Sequence, residues 1–463
     1  VSDYNFDFGI DNRPLRPMPN IGCGFDIPCG TFITGLHGES ILNGGAPPVI
    51  VIAAGPNCYK TLLLIFIMTT IMNRMGDFTK GLLYDTEENA FTDSLNRLIQ
   101  DSDDITDKDM FYNGRIIITD KIALSGEEFF KLCQTAMDAK INNKKLIITT
   151  PFPDPKTNIL IKRPIFSVVG IDSLSEFTTK ASDSLIDNSE LGSSEQLPAH
   201  LKLGLMKNNM IGRIPTLANR SNTIFVMTGQ VGYKINMNPM QPNVKTMPAM
   251  KQDEIVKGCS PKLHVLANIT WAARATKVLE NRNTKSPEYP KIQGVEFEND
   301  KDLNLVSYTT WRSKVGKSNL FNHVVVSQTD GVLPTMTELL ILKDGEFGLS
   351  GSQQNYFSPL LPDVKLARTV VRSKIDNNEK LRRAINFSSE ICQMKQLGLY
   401  PELMMDMEPL VQKLVAGGYN IDQLLDTRGY WVPNEVNHPK QFLSSLDLLK
   451  MANGTYKPYW MKT

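Results

Sequence analysis

The stretch AGPNCYKT, residues 54–61, decides how this chain is read. It follows PVIVIAAG (48–55), a run of apolar and β-branched residues closed by Gly-Pro, which predicts a buried strand. It precedes LLLIFIMTTIM (62–72), which predicts a buried helix and is too short to cross a bilayer. A strand, a turn and a helix opened by Lys60-Thr61 form the setting of a phosphate loop. In such loops backbone N–H groups and the helix N-terminus attract a polyphosphate, the lysine reaches the terminal phosphates and the hydroxyl binds Mg²⁺. The two glycines of the usual pattern are replaced here by Ala54 and Tyr59. A tyrosine forced to positive φ costs about 1–3 kcal/mol. Taken alone, the segment is equally a plain strand-to-helix turn with a solvated lysine.

Further buried strands are expected at KGLLYDTE (80–87), RIIITD (115–120), KLIIT (145–149), SVVGIDSL (167–174) and NTIFVMTGQ (222–230). Helices are expected near 126–140 and over 198–219. Strands alternating with helices predict an α/β fold with a central, mostly parallel sheet covered on both faces. Ligands of such sheets sit at the C-terminal strand ends. Lys60, Thr61, Asp85, Glu87, Asp172, Ser173 and Gln230 all fall there. A carboxylate beside a terminal phosphate can polarise an attacking water, which fits Glu87. Asp172, after an apolar run, suits a carboxylate that holds Mg²⁺ through water, backed by Ser173. A lone acid at a strand end is commonly just solvated; three in order behind a phosphate loop point to a site.

Residues 1–46 carry many Pro, Gly and Asn and are expected to be an extended arm, laid on something such as another copy of the chain. Two polar stretches, about 178–197 and 231–261, follow strand ends and are expected as long loops on the ligand side. The chain after 262 reads as β-rich, then as a helix at TMTELLILKDG (335–345). From about 363 helical patterning returns, with seven cations between Lys365 and Arg383. A formal net charge of +1 makes any nucleic-acid surface a local patch. The six cysteines include no CxxC spacing, and the N-terminus has no signal-peptide pattern, so a reducing, cytoplasmic setting is expected.

The order AGPNCYKT, LLYDTE, VVGIDSLSEF and NTIFVMTGQ resembles the RecA family of recombinases, most closely the UvsX type of tailed phages. That type also carries an aromatic residue in place of the second loop glycine. WRSKVGKSNLFNHVVVSQTDGVLPTMTELLILKDGEFGL (311–349) resembles the end of the family's core. The resemblance covers roughly 28–350. It implies a RecA-type ATPase core over 47–350, an N-terminal arm over 1–46 that latches a neighbour, and a C-terminal helical domain over 351–463. It implies ATP and Mg²⁺ as cofactors. Gly55, Pro56, Asn57, Cys58, Tyr59, Lys60 and Thr61 would hold the nucleotide, Thr61 and Asp172 the metal, and Glu87 the attacking water. Gln230 would sense the terminal phosphate, and Arg312 and Lys314 would enter the site of the adjacent protomer. The two long stretches would be DNA loops, with Lys234, Lys245, Lys251 and Lys257 on phosphates and apolar side chains between bases. The first of them is acidic, which departs from a simple DNA contact. The basic stretch between Lys365 and Arg383 is a second candidate for duplex DNA, against the equal alternative of a solvated helix face. The implied partners are single- and double-stranded DNA and further copies in a helical filament, with no membrane, in the bacterial host if the chain is a phage's. A DnaB-type hexameric helicase and a scaffolding protein that has lost hydrolysis are the competing readings.

Overall fold

The computed structural model describes residues 15–461, apart from 89, 101–104, 181–183, 185–195, 235–244, 282, 295–299, 353–354 and 436–437. Most of the expected loop 178–197 therefore lies outside the described residues. A hairpin comes first, β1 (Thr31–Thr34) and β2 (Ser40–Asn43). The central elements follow as β3 (Val49–Ala54), α1 (Lys60–Arg74), β4 (Lys80–Asp85), α2 (Thr92–Gln100), β5 (Ile116–Asp120) and α3 (Gly126–Asn142). Next come β6 (Ile147–Pro153), β7 (Leu160–Pro164), β8 (Ser167–Asp172), α4 (Gln196–Ser221), β9 (Thr223–Tyr233), β10 (Glu254–Val256) and α5 (Lys262–Leu266). The sheet is completed by β11 (Ile269–Val278), β12 (Leu303–Ser313), β13 (Phe321–Ser327) and β14 (Gly331–Val332). Then follow α6 (Pro334–Asp344), the hairpin β15 (Tyr356–Ser358) and β16 (Leu361–Leu366), and five helices: α7 (Val371–Asp376), α8 (Glu379–Leu397), α9 (Met407–Ala416), α10 (Ile421–Leu425) and α11 (Ser445–Ala452).

One 10-stranded sheet runs β14-β13-β12-β11-β3-β9-β8-β4-β5, with β10 paired to β9. From β11 through β5 every neighbouring pair is parallel. The protein is thus mixed α/β with a large, mostly parallel central sheet. Strand alternation splits β3 between two cores: Ile50 and Ile52 pack with α1, whereas Val49 and Val51 pack with Phe129 of α3 and Ile211 of α4. KLIIT does not join this sheet. From Ile147 it begins β6, which among the described residues pairs with β7 in a separate two-stranded hairpin.

Residues 15–46 are no projecting arm in this chain. Ile21, Cys23, Phe25, Ile27 and Cys29 are all buried. The alternation of those five apolar residues is the signal that the Pro and Gly content obscures. The segment is a seam between the sheet and the C-terminal helices. Trp431 Nε1 donates to the carbonyl of Met18 at 3.0 Å, Gln393 Nε2 to that of Gly24 at 2.8 Å, and the N–H of Ser40 to Asp447 at 2.9 Å. The boundary expected near 350 falls inside one apolar cluster, which joins Val325 and Leu339 to Leu381, Leu410 and Leu449.

The basic stretch after 363 is built into this packing. Arg372 is buried and paired with Asp330 at 2.6 Å, Arg383 is buried and donates to Asn386, and Lys380 pairs with Asp422 at 2.6 Å. Cations held in that way are not laid out for a duplex.

Lys140 of α3 is another buried cation, donating to the hydroxyls of Ser167 at 2.5 Å and Thr223 at 3.0 Å. Burial pushes its pKa from 10.5 down to about 7. The unfolded chain therefore binds the proton more tightly between those two values, so stability rises with pH from about 7 towards 10. Urea denaturation across that window is expected to show a rising midpoint for the parent. In Lys140→Met the rise is expected to shrink and the midpoint at pH 7 to increase.

Candidate functional site

The phosphate loop sits where the parallel register puts it, between the C-terminal ends of β3 and its neighbours. Ala54 lies beside Gln230 of β9 on one side and Ala273 of β11 on the other. Asn57 and Tyr59 both take the left-handed conformation, with φ of 56° and 53°. Positive φ on either side of Cys58 turns successive N–H groups inward, the geometry of an anion nest. Tyr59 provides no side-chain cap, so the positive end of the 15-residue helix α1 is open to an anion. The price is strain: a left-handed tyrosine costs about 1–2 kcal/mol.

Around this loop the expected residues come together. Lys60 Nζ pairs with Glu87 Oε1 at 3.1 Å, both only slightly exposed. Thr61 Oγ1 donates to Asp172 Oδ2 at 2.5 Å. Asp85 has a different role. It accepts from the N–H groups of Glu87 at 3.0 Å and Ala90 at 2.6 Å, so it shapes the turn that presents Glu87. The ends of β4 and β8 are laced by Thr86, which donates to the carbonyl of Ser173 at 2.8 Å and accepts from its N–H at 2.7 Å.

Asp172 is buried, as Asp85 is. Burial raises its pKa, while hydrogen bonds from Thr228 and Thr61 and the charge of Lys60 act to lower it. Thr228 Oγ1 donates to Asp172 Oδ1, so the two threonines clamp both carboxylate oxygens. Thr228 is the residue that sequence reading missed. Its signal was its place two residues before Gln230, on the same face of β9. The hydroxyl of Thr61 and the carboxylate of Asp172 form a hard oxygen pair beside the anion nest. That fits Mg²⁺, which takes few protein ligands and completes its shell with phosphate and water. Among the described residues no group of three or more His, Cys, Asp or Glu is placed to hold a metal by itself.

Gln230 does not end its strand. β9 runs on to Tyr233 because Val231–Tyr233 pair antiparallel with Glu254–Val256. The second expected loop is therefore partly a short hairpin. Gln230 is half-buried, with its N–H on Ser175 Oγ at 2.9 Å. Lys234, Lys245, Lys251 and Lys257 are all exposed on or beside this hairpin. Met247 and Met250 are buried in it and are not offered to bases, whereas Tyr233 is 58% exposed.

Arg312 and Lys314 stand apart. Arg312 pairs with Thr270, which in turn pairs with Val51, so both basic residues lie towards the opposite edge of the sheet. Val51 stands four positions before Gly55, roughly 13 Å along the strand, so neither cation meets its own phosphate loop. Lys314 Nζ donates to the carbonyls of Val265 and Leu266 at the end of α5. Burial, aided by the charge of Arg312, pushes the neighbouring His264 down to about 4. Among the described residues no helix is long and apolar enough to cross a membrane.

No protein-family model matches this chain, and no curated protein matches it either.

Thr228→Val removes one of the two clamps on Asp172. A hydrogen bond to a charged group contributes about 1.5–3 kcal/mol, so the Mg²⁺ dependence of nucleotide binding is expected to shift at least about tenfold to higher Mg²⁺. Titration of a fluorescent nucleotide against Mg²⁺ reads this directly.

Proposed function

We propose that this protein is a DNA-dependent ATPase of the RecA type, a recombinase that assembles on single-stranded DNA and promotes homologous pairing. The observation that carries the reading is the convergence of Lys60, Thr61, Glu87 and Asp172 around the left-handed turn that opens α1. Bound Mg²⁺ would neutralise charge on the phosphates. Lys60 and the N–H groups of 57–61 bind and orient the polyphosphate. Thr61 and Asp172 hold the metal, and the threonine clamp fixes the direction of the Asp172 oxygens. Glu87, now paired with Lys60, is released when the lysine turns to phosphate, and its carboxylate then accepts a proton from the attacking water. In-line attack on a terminal phosphoryl group needs mainly positioning and charge neutralisation, and this set supplies both.

The sheet register supports a site shared between copies. Arg312 and Lys314 cannot serve their own loop; facing a neighbour's, if copies stack head to tail, requires Lys314 to leave the carbonyls at the end of α5. A heterologous interface of that kind closes into a ring or continues as a filament. The filament is favoured by the paired cations at the end of β12 with the β12–β13 hairpin after them, and the ring-shaped helicase is the second reading. The exposed lysines and Tyr233 of the 231–261 region supply phosphate contacts and one stacking surface.

Phosphate release is expected to rise with single-stranded DNA and to vanish in Lys60→Ala and in Glu87→Gln. Arg312→Ala is expected to be inactive alone as well. Mixing Lys60→Ala with Arg312→Ala at equal concentration restores interfaces that join an intact loop to an intact cation, about a quarter of the total. Recovery of turnover on mixing supports the shared site, and no recovery rejects it. Electron microscopy with DNA separates filaments from closed rings.

A further inference from the structure

Lys207 lies well inside α4, far from both ends of the helix, and is 6% exposed. Its ammonium touches no carboxylate among the described residues. It donates instead to three backbone carbonyls: Leu174 at 3.0 Å, Ser175 at 3.5 Å and Gly258 at 3.5 Å. The first two belong to the turn that leaves Asp172. The third lies two residues past β10, in the hairpin that carries the exposed lysines. The approach is tight. A Cβ on Gly258, whose φ is +65°, would sit 2.9 Å from the Ser175 carbonyl and 3.4 Å from Lys207 Nζ. Ser175 also accepts the N–H of Gln230 through its hydroxyl, so two strands and a helix meet at this turn.

A buried ammonium without a carboxylate is a costly way to fill space, and an apolar residue would pack there more favourably. Burial accordingly lowers its pKa. What the ammonium adds is a directional bond between the metal side of the site and the hairpin. We propose that Lys207 is a positioning residue that couples the two: it ties the turn after Asp172 to Gly258, so that a shift of Asp172 on metal and nucleotide binding is passed to the paired ends of β9 and β10. This rests on the nucleotide reading above. Release of the 3.5 Å bond to Gly258 would supply the second arrangement that coupling between distant sites requires.

The test is hydrogen exchange of the full chain with and without Mg²⁺ and a non-hydrolysable ATP analogue, followed at 54–61 and at 245–261. In the parent, nucleotide is expected to slow exchange in both segments. In Lys207→Met the 54–61 response is expected to remain and the 245–261 response to be lost. DNA stimulation of turnover is expected to fall about tenfold, within the range of coupling free energies, while turnover without DNA stays within about twofold. Lys207→Arg, which keeps the charge and the donors, is expected to recover much of the stimulation. Gly258→Ala strikes the same junction from the hairpin side and is expected to uncouple it with Lys207 intact. A hairpin that still responds in Lys207→Met, or equal losses of turnover with and without DNA, overturns the relay. A parent whose 54–61 segment responds while 245–261 does not overturns the relay and leaves nucleotide binding standing. A parent in which neither segment responds overturns the nucleotide reading, and the relay with it.

Discussion

Parallel pairing is the constraint on which everything else in this protein depends. β5, β4, β8, β9, β3 and β11 run the same way, so their C-terminal ends share one edge. Parallel neighbours cannot be joined by tight turns, so the chain must return over the faces of the sheet. Those crossovers cover both faces and make strands such as β3 buried along their whole length. The same geometry brings Lys60, Glu87, Asp172 and Thr228 together from four elements far apart in sequence. It also sends Arg312 and Lys314 to the other edge, because β12 runs antiparallel to β11.

The functional edge stores unfavourable electrostatics in small, well-bonded units. Asp172 is buried yet held by two hydroxyls, and Glu87 is balanced by Lys60. Lys207 is held by backbone carbonyls. None of these arrangements is the most stable way to fill its volume. Each leaves a charge or a donor ready for rearrangement, and the loop at 57–61 adds backbone strain at Tyr59. Stability comes from elsewhere, from the three apolar clusters that flank the sheet and pack the C-terminal helices.

The seam formed by residues 15–46 makes the C-terminal helices part of the same body as the sheet. Phe25 packs on Trp271 of β11 with ring centroids 4.5 Å apart, and Gln393 of α8 closes on the carbonyl of Gly24. The sheet is thus in direct contact, through this seam, with helices that lie more than a hundred residues later in the chain. The pairing of Arg372 and Lys380 with acids serves this packing, which is why a run of cations in sequence did not become a basic surface.

The strand-loop-helix unit, the order of the parallel strands' acids, and the grouping of Lys60, Thr61, Glu87 and Asp172 were legible in the amino-acid order. Those readings rest on local signals, apolar runs bounded by polar strand ends, and burial on both faces makes such runs nearly continuous. Folding in three dimensions was needed to reveal that β6 leaves the sheet to pair with β7, that β9 continues past Gln230, and that Thr228 clamps Asp172. It alone showed that Met247 and Met250 face inward and that 15–46 is a seam. The physical reason is common to all of these. Each depends on which partner a segment meets across space, and pairing register, hydrogen-bond acceptors and burial are properties of that partner rather than of the segment's own residues.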